Sequence, residues 1–407
     1  MIVIDGLSLV LPACGIKSFI YSFLISLSKH ISSHGSKSKY IVLFPETKMW
    51  EGLGDYKTID SIKNQLKDKD ISFQPVIISS ILLFLLKIIG RKSSFRRHFT
   101  FLWSFYTFPS SLKKLKNSFS INAVFHPYQI ISNYSIPAKK TVVIHDIFHW
   151  LNFQEYNFID RFFYQLAAQA CQASDWVITV SEFSKQQIIN YLKISAEKIS
   201  VCYEGINLIY QQKNFPQNSF KNIRGKFNLP RRFILAFLST RKYKKNVLGS
   251  VRLYHELLRI QPNYPCQLVL VGGNIDSNQE VKQYLINNQL LDRTRFVEAA
   301  TDNELKLIYH MADYLFFLSL EEGFGLPPLE ALACNTFPVI SNTSSLGEIY
   351  SPYLPTFNPY KLKPIAQYLS ALTLNQRGKI ILAARKPLLN LYNWDKVIEN
   401  YLKVFEA

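Results

Sequence analysis

The sequence predicts an α/β protein of two domains. A length of 407 residues exceeds what one hydrophobic core usually serves. Short apolar runs of strand length, bounded by Gly, Pro or charged residues, alternate along the chain with segments patterned at helical spacing. One succession of strand, loop, helix and strand, Leu315–Tyr350, carries two carboxylates at fixed separation and anchors the reading.

In chain order, Met1–Asp5 is apolar and β-prone, and Leu9–Ile16 reads as a loop ending in Cys14-Gly15-Ile16. Phe19, Phe23, Leu24 and Leu27 then recur at helical spacing. Tyr40–Phe44, Ile71–Ile78 and Ala123–His126 read as strands, and Thr141–Ile144 as a buried strand ending in His145-Asp146. Ligands of open parallel sheets sit at the carboxyl ends of strands, which makes that pair a candidate; a histidine there also serves to bond a loop backbone. His126 and His149 are close enough in sequence to line the same cleft. A helix over Asp160–Ser174, a strand over Trp176–Val180 and a helix start capped by Ser181 follow. The polar stretch Gln211–Lys226 fits a linker, with the domain boundary near 205–210.

Arg232–Leu238 opens a second α/β unit and runs into Ser239–Asn246, a basic loop at a strand-to-helix position where phosphate can be neutralised. Gln267–Val271 with Gly272-Gly273 is a strand and glycine turn, without the dinucleotide fingerprint. Arg295–Val297 is a short strand, and Asp302–Leu305 has cap and first-turn chemistry for a helix running to Met311. Phe337–Ser341 is a strand, and Asn393–Phe405 a closing helix.

In the central stretch, Tyr314–Leu320 fits a buried parallel strand. Gly323 and Gly325 allow a tight turn and close approach to a ligand, and Pro327 and Pro328 suit a first helical turn. The helix start points N–H groups and a positive dipole end at the Gly323–Leu326 loop, a phosphate-holding arrangement. Glu322 before the turn and Glu330 inside the helix start face one cleft, where carboxylates accept bonds from sugar hydroxyls. Glu330 is equally suited to complementing a helix dipole.

Composition limits the alternatives. Five scattered cysteines without paired or metal-type spacing read as reduced thiols of a cytosolic protein, and no zinc site is visible. The N-terminus lacks a basic n-region and is broken by Asp5 and Gly6, so it reads as a first strand rather than a signal peptide. The formal charge is +18, and no acidic residue occurs between Asp70 and Asp146, an interval holding Lys87, Arg91, Lys92, Arg96, Arg97, Lys113, Lys114, Lys116, Lys139 and Lys140. Val76–Gly90 and the aromatic run Phe99–Phe108 share that interval; the apolar part is too short to span a bilayer. Residues 76–116 therefore read either as an interfacial element contacting an anionic membrane or as a core element followed by a solvated basic loop. Nucleic acid is not an expected partner, because no binding motif accompanies the basic surface.

Glu322-Gly-Phe-Gly-Leu-Pro-Pro-Leu-Glu330, with seven residues between the carboxylates, resembles the signature of retaining, nucleotide-sugar-dependent glycosyltransferases of the GT-B fold, family 4 in particular. The similarity continues to Ser344, and Asp175–Asn207 resembles the end of the family's N-terminal domain. The resemblance implies two Rossmann-like domains facing across a cleft: an acceptor-side domain over 1–207, a donor-binding domain over 208–390, and a helix over 391–407 folding back on the first. It implies that Lys245 contacts the donor diphosphate, with Arg241 or Lys244 adding charge, and that the loop Gly323, Phe324, Gly325, Leu326 holds the same group. Glu322 would bind donor-sugar hydroxyls, Glu330 the ribose, and His145, with Asp146, would lie at the reaction centre.

The resemblance would place Gly15 and Lys17 on the acceptor or donor-sugar side, where His126 is also expected. Here Gly15-Ile16-Lys17-Ser18-Phe19 stands where relatives carry a second glycine and an arginine, and Glu298 stands where they carry a glycine. The expected activity is metal-independent transfer of a hexosyl group from a UDP- or GDP-linked sugar, with no cofactor. The acceptor would be a saccharide or lipid-linked saccharide in surface polysaccharide or lipopolysaccharide assembly, made by a cytoplasmic protein at the inner face of the membrane. A non-catalytic homologue acting as partner subunit or sugar-nucleotide sensor is the alternative; a GT-B epimerase or phosphorylase fits the motif less well.

Overall fold

Apolar runs bounded by turn residues become parallel strands when both faces of each run are covered, and both sheets of this protein follow that pattern. The computed structural model describes residues 1–11, 15–36, 38–46, 56–66, 70–78, 98–211, 215–238 and 242–406. The chain divides into two units, Met1–Gly205 with Trp394–Ala407, and Ile206–Asn393.

In the first unit, β1 (Ile2–Asp5), β2 (Tyr40–Glu46), β3 (Ile71–Ile77), β4 (Ala123–His126), β5 (Lys139–Ile144), β6 (Trp176–Thr179) and β7 (Ile199–Val201) form one parallel sheet in the order β3-β2-β1-β4-β5-β6-β7. The segment expected to be a loop from Leu9 is partly helical: Leu7–Val10 forms a short turn of helix, and Gly15 opens the long helix Gly15–His34. The closing helix, Trp394–Glu406, buries Trp394, Val397, Ile398, Tyr401 and Val404, one apolar stripe at helical spacing. That stripe meets Phe19 and Phe23, with Phe19–Trp394 and Phe23–Tyr401 centroids 5.4 and 5.7 Å apart. Gly205 is required beneath it, because a Cβ there would lie 2.5 Å from the Trp394 ring.

Much of the aromatic run at 99–108 is core. Phe99, Phe101, Trp103 and Phe108 are buried, whereas Tyr106 is exposed. Val76–Ile78 belong to the β3 edge, and the remainder of the apolar stretch with Lys87, Arg91, Lys92, Arg96 and Arg97 lies outside the described residues. No helix among the described residues is long and apolar enough to cross a membrane.

In the second unit, β8 (Phe233–Phe237), β9 (Gln267–Val271), β10 (Thr294–Val297), β11 (Tyr314–Phe317), β12 (Phe337–Ser341) and β13 (Thr356–Phe357) form a parallel sheet in the order β10-β9-β8-β11-β12-β13. The chain runs outward from β8 to β10, then returns to β11 on the other side of β8. In such a sheet the crevice for a ligand opens at the carboxyl ends of the two strands flanking the reversal, here β8 and β11.

Candidate functional site

Lys245 follows β8 in the short helix Lys242–Lys245, and Glu322 follows β11, so the reversal of strand order brings them together. Lys245 Nζ donates to both carboxylate oxygens of Glu322, at 2.7 and 2.9 Å, and lies 5.5 Å from the centroid of the Phe317 ring. The ion pair is partly covered, with the Lys245 and Glu322 side chains 28% and 9% exposed. The neighbouring Lys244 is buried, and its carbonyl accepts from Leu320 N at 2.8 Å, tying the post-β8 and post-β11 loops together. Asn246, to which no role was assigned from sequence, adds a second tie: Nδ2 donates to Leu318 O at 3.0 Å while Oδ1 caps the helix Val247–Ile260 by accepting from Gly249 N. Ser239, Thr240 and Arg241 lie outside the described residues.

The Gly323–Leu326 loop is held by the helix Ser344–Tyr350. Ser344 Oγ accepts from Glu322 N at 3.1 Å, Ser345 Oγ donates to the carbonyls of Glu322 and Phe324 at 2.8 and 3.1 Å, and Tyr350 OH donates to Gly325 O at 2.6 Å. These bonds occupy loop carbonyls, which keeps the loop's acceptors away from an anion. Gly325 caps the helix Leu326–Ala333 at φ 94°, and a Cβ on it would fall on the Leu346 side chain, so only glycine fits. Phe324 is buried with its ring on Tyr392, 5.2 Å between centroids, and contributes backbone rather than side chain to the loop surface. The helix start has fewer amides than its position suggests: Pro327 and Pro328 carry none, which leaves Gly325 and Leu326 as the N–H donors among the cap and the first three helical residues.

Glu330 is not in the first turn of that helix, as expected from sequence, but in the second. Tyr309 OH donates to Glu330 Oε2 at 3.0 Å, and the Tyr309 ring packs on Phe237 at the carboxyl end of β8, centroids 6.1 Å apart. Burial pushes the Glu330 carboxyl up to about 7, against the lowering effect of the Tyr309 bond. The two carboxylates of the motif thus have different partners, an ammonium for Glu322 and a phenol for Glu330.

In the first unit, His145 stands at the end of β5 with Nδ1 2.7 Å from Glu204 Oε1 and Nε2 2.9 Å from the Pro127 carbonyl. Burial opposes charge on the ring, but two acceptors on its two nitrogens outweigh burial and raise its pKa. In this conformation both ring nitrogens are engaged by protein. Asp146 ties its own loop, Oδ1 accepting from Phe148 N at 3.1 Å. The expectation for His126 is corrected. It is 1% exposed, with Nδ1 3.2 Å from Asp5 Oδ2 and Nε2 2.8 Å from Tyr134 OH, part of a buried network that includes Trp103 Nε1 donating to Asp5 Oδ1 at 2.8 Å. Lys17 is buried on the helix Gly15–His34, and Gly15, its first residue, is exposed with open space around it. Among the described residues no three His, Cys, Asp or Glu side chains converge as a metal site would require.

Sequence profiles of two families match the chain: "Glycosyl transferases group 1" over residues 219–380, which contains Lys245, Glu322 and Glu330, and "Glycosyltransferase Family 4" over residues 83–209, which contains His145 and Glu204. The chain belongs with the family 4-like glycosyltransferases of the GT-B fold. Within that family it is 28% identical to the serotype-specific mannosyltransferase WbdA of Escherichia coli over 242 residues, 58% of this chain and 29% of WbdA. It thus spans less than a third of that relative's length. It is 25% identical to the O-antigen chain mannosyltransferase RfbU of Salmonella typhimurium over 278 residues, 67% of this chain and 70% of RfbU. The crystal structure of Anabaena Alr3699/HepE in complex with UDP and glucose covers 100% of this chain and 99% of its own with a TM-score of 0.67 at 14% identity, a likeness of fold.

Proposed function

We propose that this chain is a retaining glycosyltransferase that moves a hexosyl group from a nucleotide-diphosphate sugar to a saccharide or lipid-linked acceptor in surface polysaccharide assembly. The Lys245–Glu322 pair at the strand-order reversal carries the reading. In the transfer, the bond between the anomeric carbon and the diphosphate oxygen breaks, the acceptor hydroxyl oxygen bonds to that carbon, and the hydroxyl proton leaves with the diphosphate or to solvent. Charge accumulates on the departing diphosphate, and fixed donors stabilise it there. Lys245 supplies the cation; the Gly325 and Leu326 amides and the adjoining loop supply dipoles. Glu322, already neutralised by an ammonium, is a poor nucleophile and a good acceptor for sugar hydroxyls, which favours a binding role over the paired-carboxylate scheme of hydrolases. Glu330 takes the ribose. The donor and the acceptor are the reactants of this scheme, which draws on no further cofactor.

Mannosyl and O-antigen chemistry in the names of the relatives favours a polysaccharide product made at a membrane. An apolar face on the first unit suits such a setting. Phe158, Ile159 and Phe162 are 83%, 54% and 53% exposed on the helix Phe158–Gln172, whose Phe163 stacks on Phe101 at 4.4 Å. Lys113, Lys114 and Lys116 lie on the helix that continues the same aromatic segment. We assign this face to the cytoplasmic surface of an anionic bilayer, which the +18 charge of the chain favours.

The deciding experiment is calorimetric titration of the full chain with nucleoside diphosphates, followed by a product assay with the matching sugar donors. Binding that Glu330→Ala weakens, together with turnover, supports the enzyme. Binding without turnover on any donor and acceptor favours the sensor or partner-subunit alternative, and absence of binding removes the donor reading.

A further inference from the structure

We infer that the second unit selects guanine as the base of its donor, through the carboxylate of Glu298. The inference rests on the reading of this unit as a nucleotide-sugar site and adds the base to it.

The direction of the nucleoside follows from the sheet. With a diphosphate between the carboxyl ends of β8 and β11, the rest of the nucleotide leaves toward β12 or toward β9 and β10. On the β12 side the helix Ser344–Tyr350 fills the space, with Ser344, Ser345 and Tyr350 all bonded to the Glu322–Gly325 backbone. The other direction is paved in register: Phe237 pairs with Val271, and Val271 with Val297, so the ends of β8, β9 and β10 lie level. Glu330, through Tyr309, is anchored over Phe237, on that same path. From β11 to β10 is three strand spacings, about 14 Å, the span of an extended nucleoside diphosphate. The base therefore arrives over the loops that follow β9 and β10.

Those loops are built around Glu298. Gly272 N and Gly273 N donate to the carbonyls of Val297 and Glu298 at 2.8 and 2.9 Å, which locks the two turns together. Gly272 and Gly273 adopt φ of 96° and 74°, conformations that favour glycine. Asn274 Nδ2 then donates to Glu298 Oε1 at 3.0 Å, orienting a carboxylate that remains solvent-exposed. A carboxylate with two oxygens in one plane matches two adjacent N–H donors. Guanine offers that pair, N1–H beside the N2 amino group. Uracil presents one N–H between two carbonyls, which a carboxylate repels, and adenine presents an acceptor beside its amino group.

The test is calorimetry on the wild type, Glu298→Gln and Glu298→Ala with GDP, UDP, ADP and inosine diphosphate, which lacks the guanine amino group. The wild type is expected to bind GDP about tenfold or more tightly than the other three. Both variants are expected to lose that ratio, with GDP and inosine diphosphate becoming equivalent, a change that a purely structural role for Glu298 would not produce. A wild-type preference for UDP or ADP, or a GDP preference that survives Glu298→Gln, overturns the inference while leaving the donor reading in place. Failure of the wild type to bind any of the four overturns both.

Discussion

Lys245 and Glu322, 77 residues apart in sequence, share two hydrogen bonds of 2.7 and 2.9 Å at the point where the second sheet reverses its strand order. Each side chain neutralises the other until a ligand offers better partners: phosphate oxygens for the ammonium, hydroxyls for the carboxylate. Lys245→Ala is expected to weaken nucleoside diphosphate binding about ten- to a hundredfold, the scale of a charge-assisted hydrogen bond. Glu322→Gln frees the ammonium, so it should bind the bare nucleotide at least as tightly as wild type while losing turnover. Titrations and product assays on both variants check the division; weaker nucleotide binding by Glu322→Gln would contradict it.

Glu330 makes a prediction about stability and pH. Its carboxyl titrates at about 7 in the folded chain, against 4.5 ordinarily. The folded state therefore holds a proton that the unfolded state releases, and stability falls as pH rises from about 4.5 to about 7. Glu330→Gln, neutral throughout and able to keep a bond to Tyr309, is expected to flatten that fall. Thermal melts of both proteins from pH 5 to 8 measure it. Parallel curves would mean that Glu330 ionises freely.

The His145–Glu204 pair predicts a pH dependence of the same sign, in a window that starts higher. A raised histidine pKa means that its contribution is fully present below the ordinary 6.5 and is lost as pH climbs through the raised folded value. Glu204→Gln removes the carboxylate, leaves burial to dominate, and is expected to bring the His145 titration down. An NMR titration of the imidazole shows the difference, and identical midpoints in the two proteins would assign the shift elsewhere.

For the apolar face, the full chain is expected to cosediment with phosphatidylglycerol vesicles at low salt and to release as salt rises. Phe158→Ser with Phe162→Ser should reduce binding several-fold without altering the melting temperature, because both rings are already exposed. Vesicles that recover no protein at low salt rule out this surface as a membrane contact.

Elements whose signal is local were legible in the sequence. Strands such as Gln267–Val271 and Phe337–Ser341 matched residue for residue, because their apolar runs are bounded by turn chemistry. Ser181 caps its helix as its position indicated, accepting from Ser184 N at 3.1 Å. The loop that holds Glu322 was legible for the same reason: its glycines and prolines each constrain the backbone at one place. His126 was misread because a histidine ending a strand carries the same letters whether it lines a cleft or bonds to Asp5, which is 121 residues earlier.

The sequence by itself determined the α/β class, the order of the elements and the family, since periodicity, turn residues and a nine-residue motif are local properties that need no neighbour. Tertiary structure alone decided which side chains meet: Glu204 on His145, Tyr309 on Glu330, Ser345 and Tyr350 beneath the glycine loop, Asn274 on Glu298. These pairs span from 21 to 59 residues of chain. Their geometry comes from strand order and from which face of each helix is buried, quantities set by packing of the whole unit rather than by any one stretch.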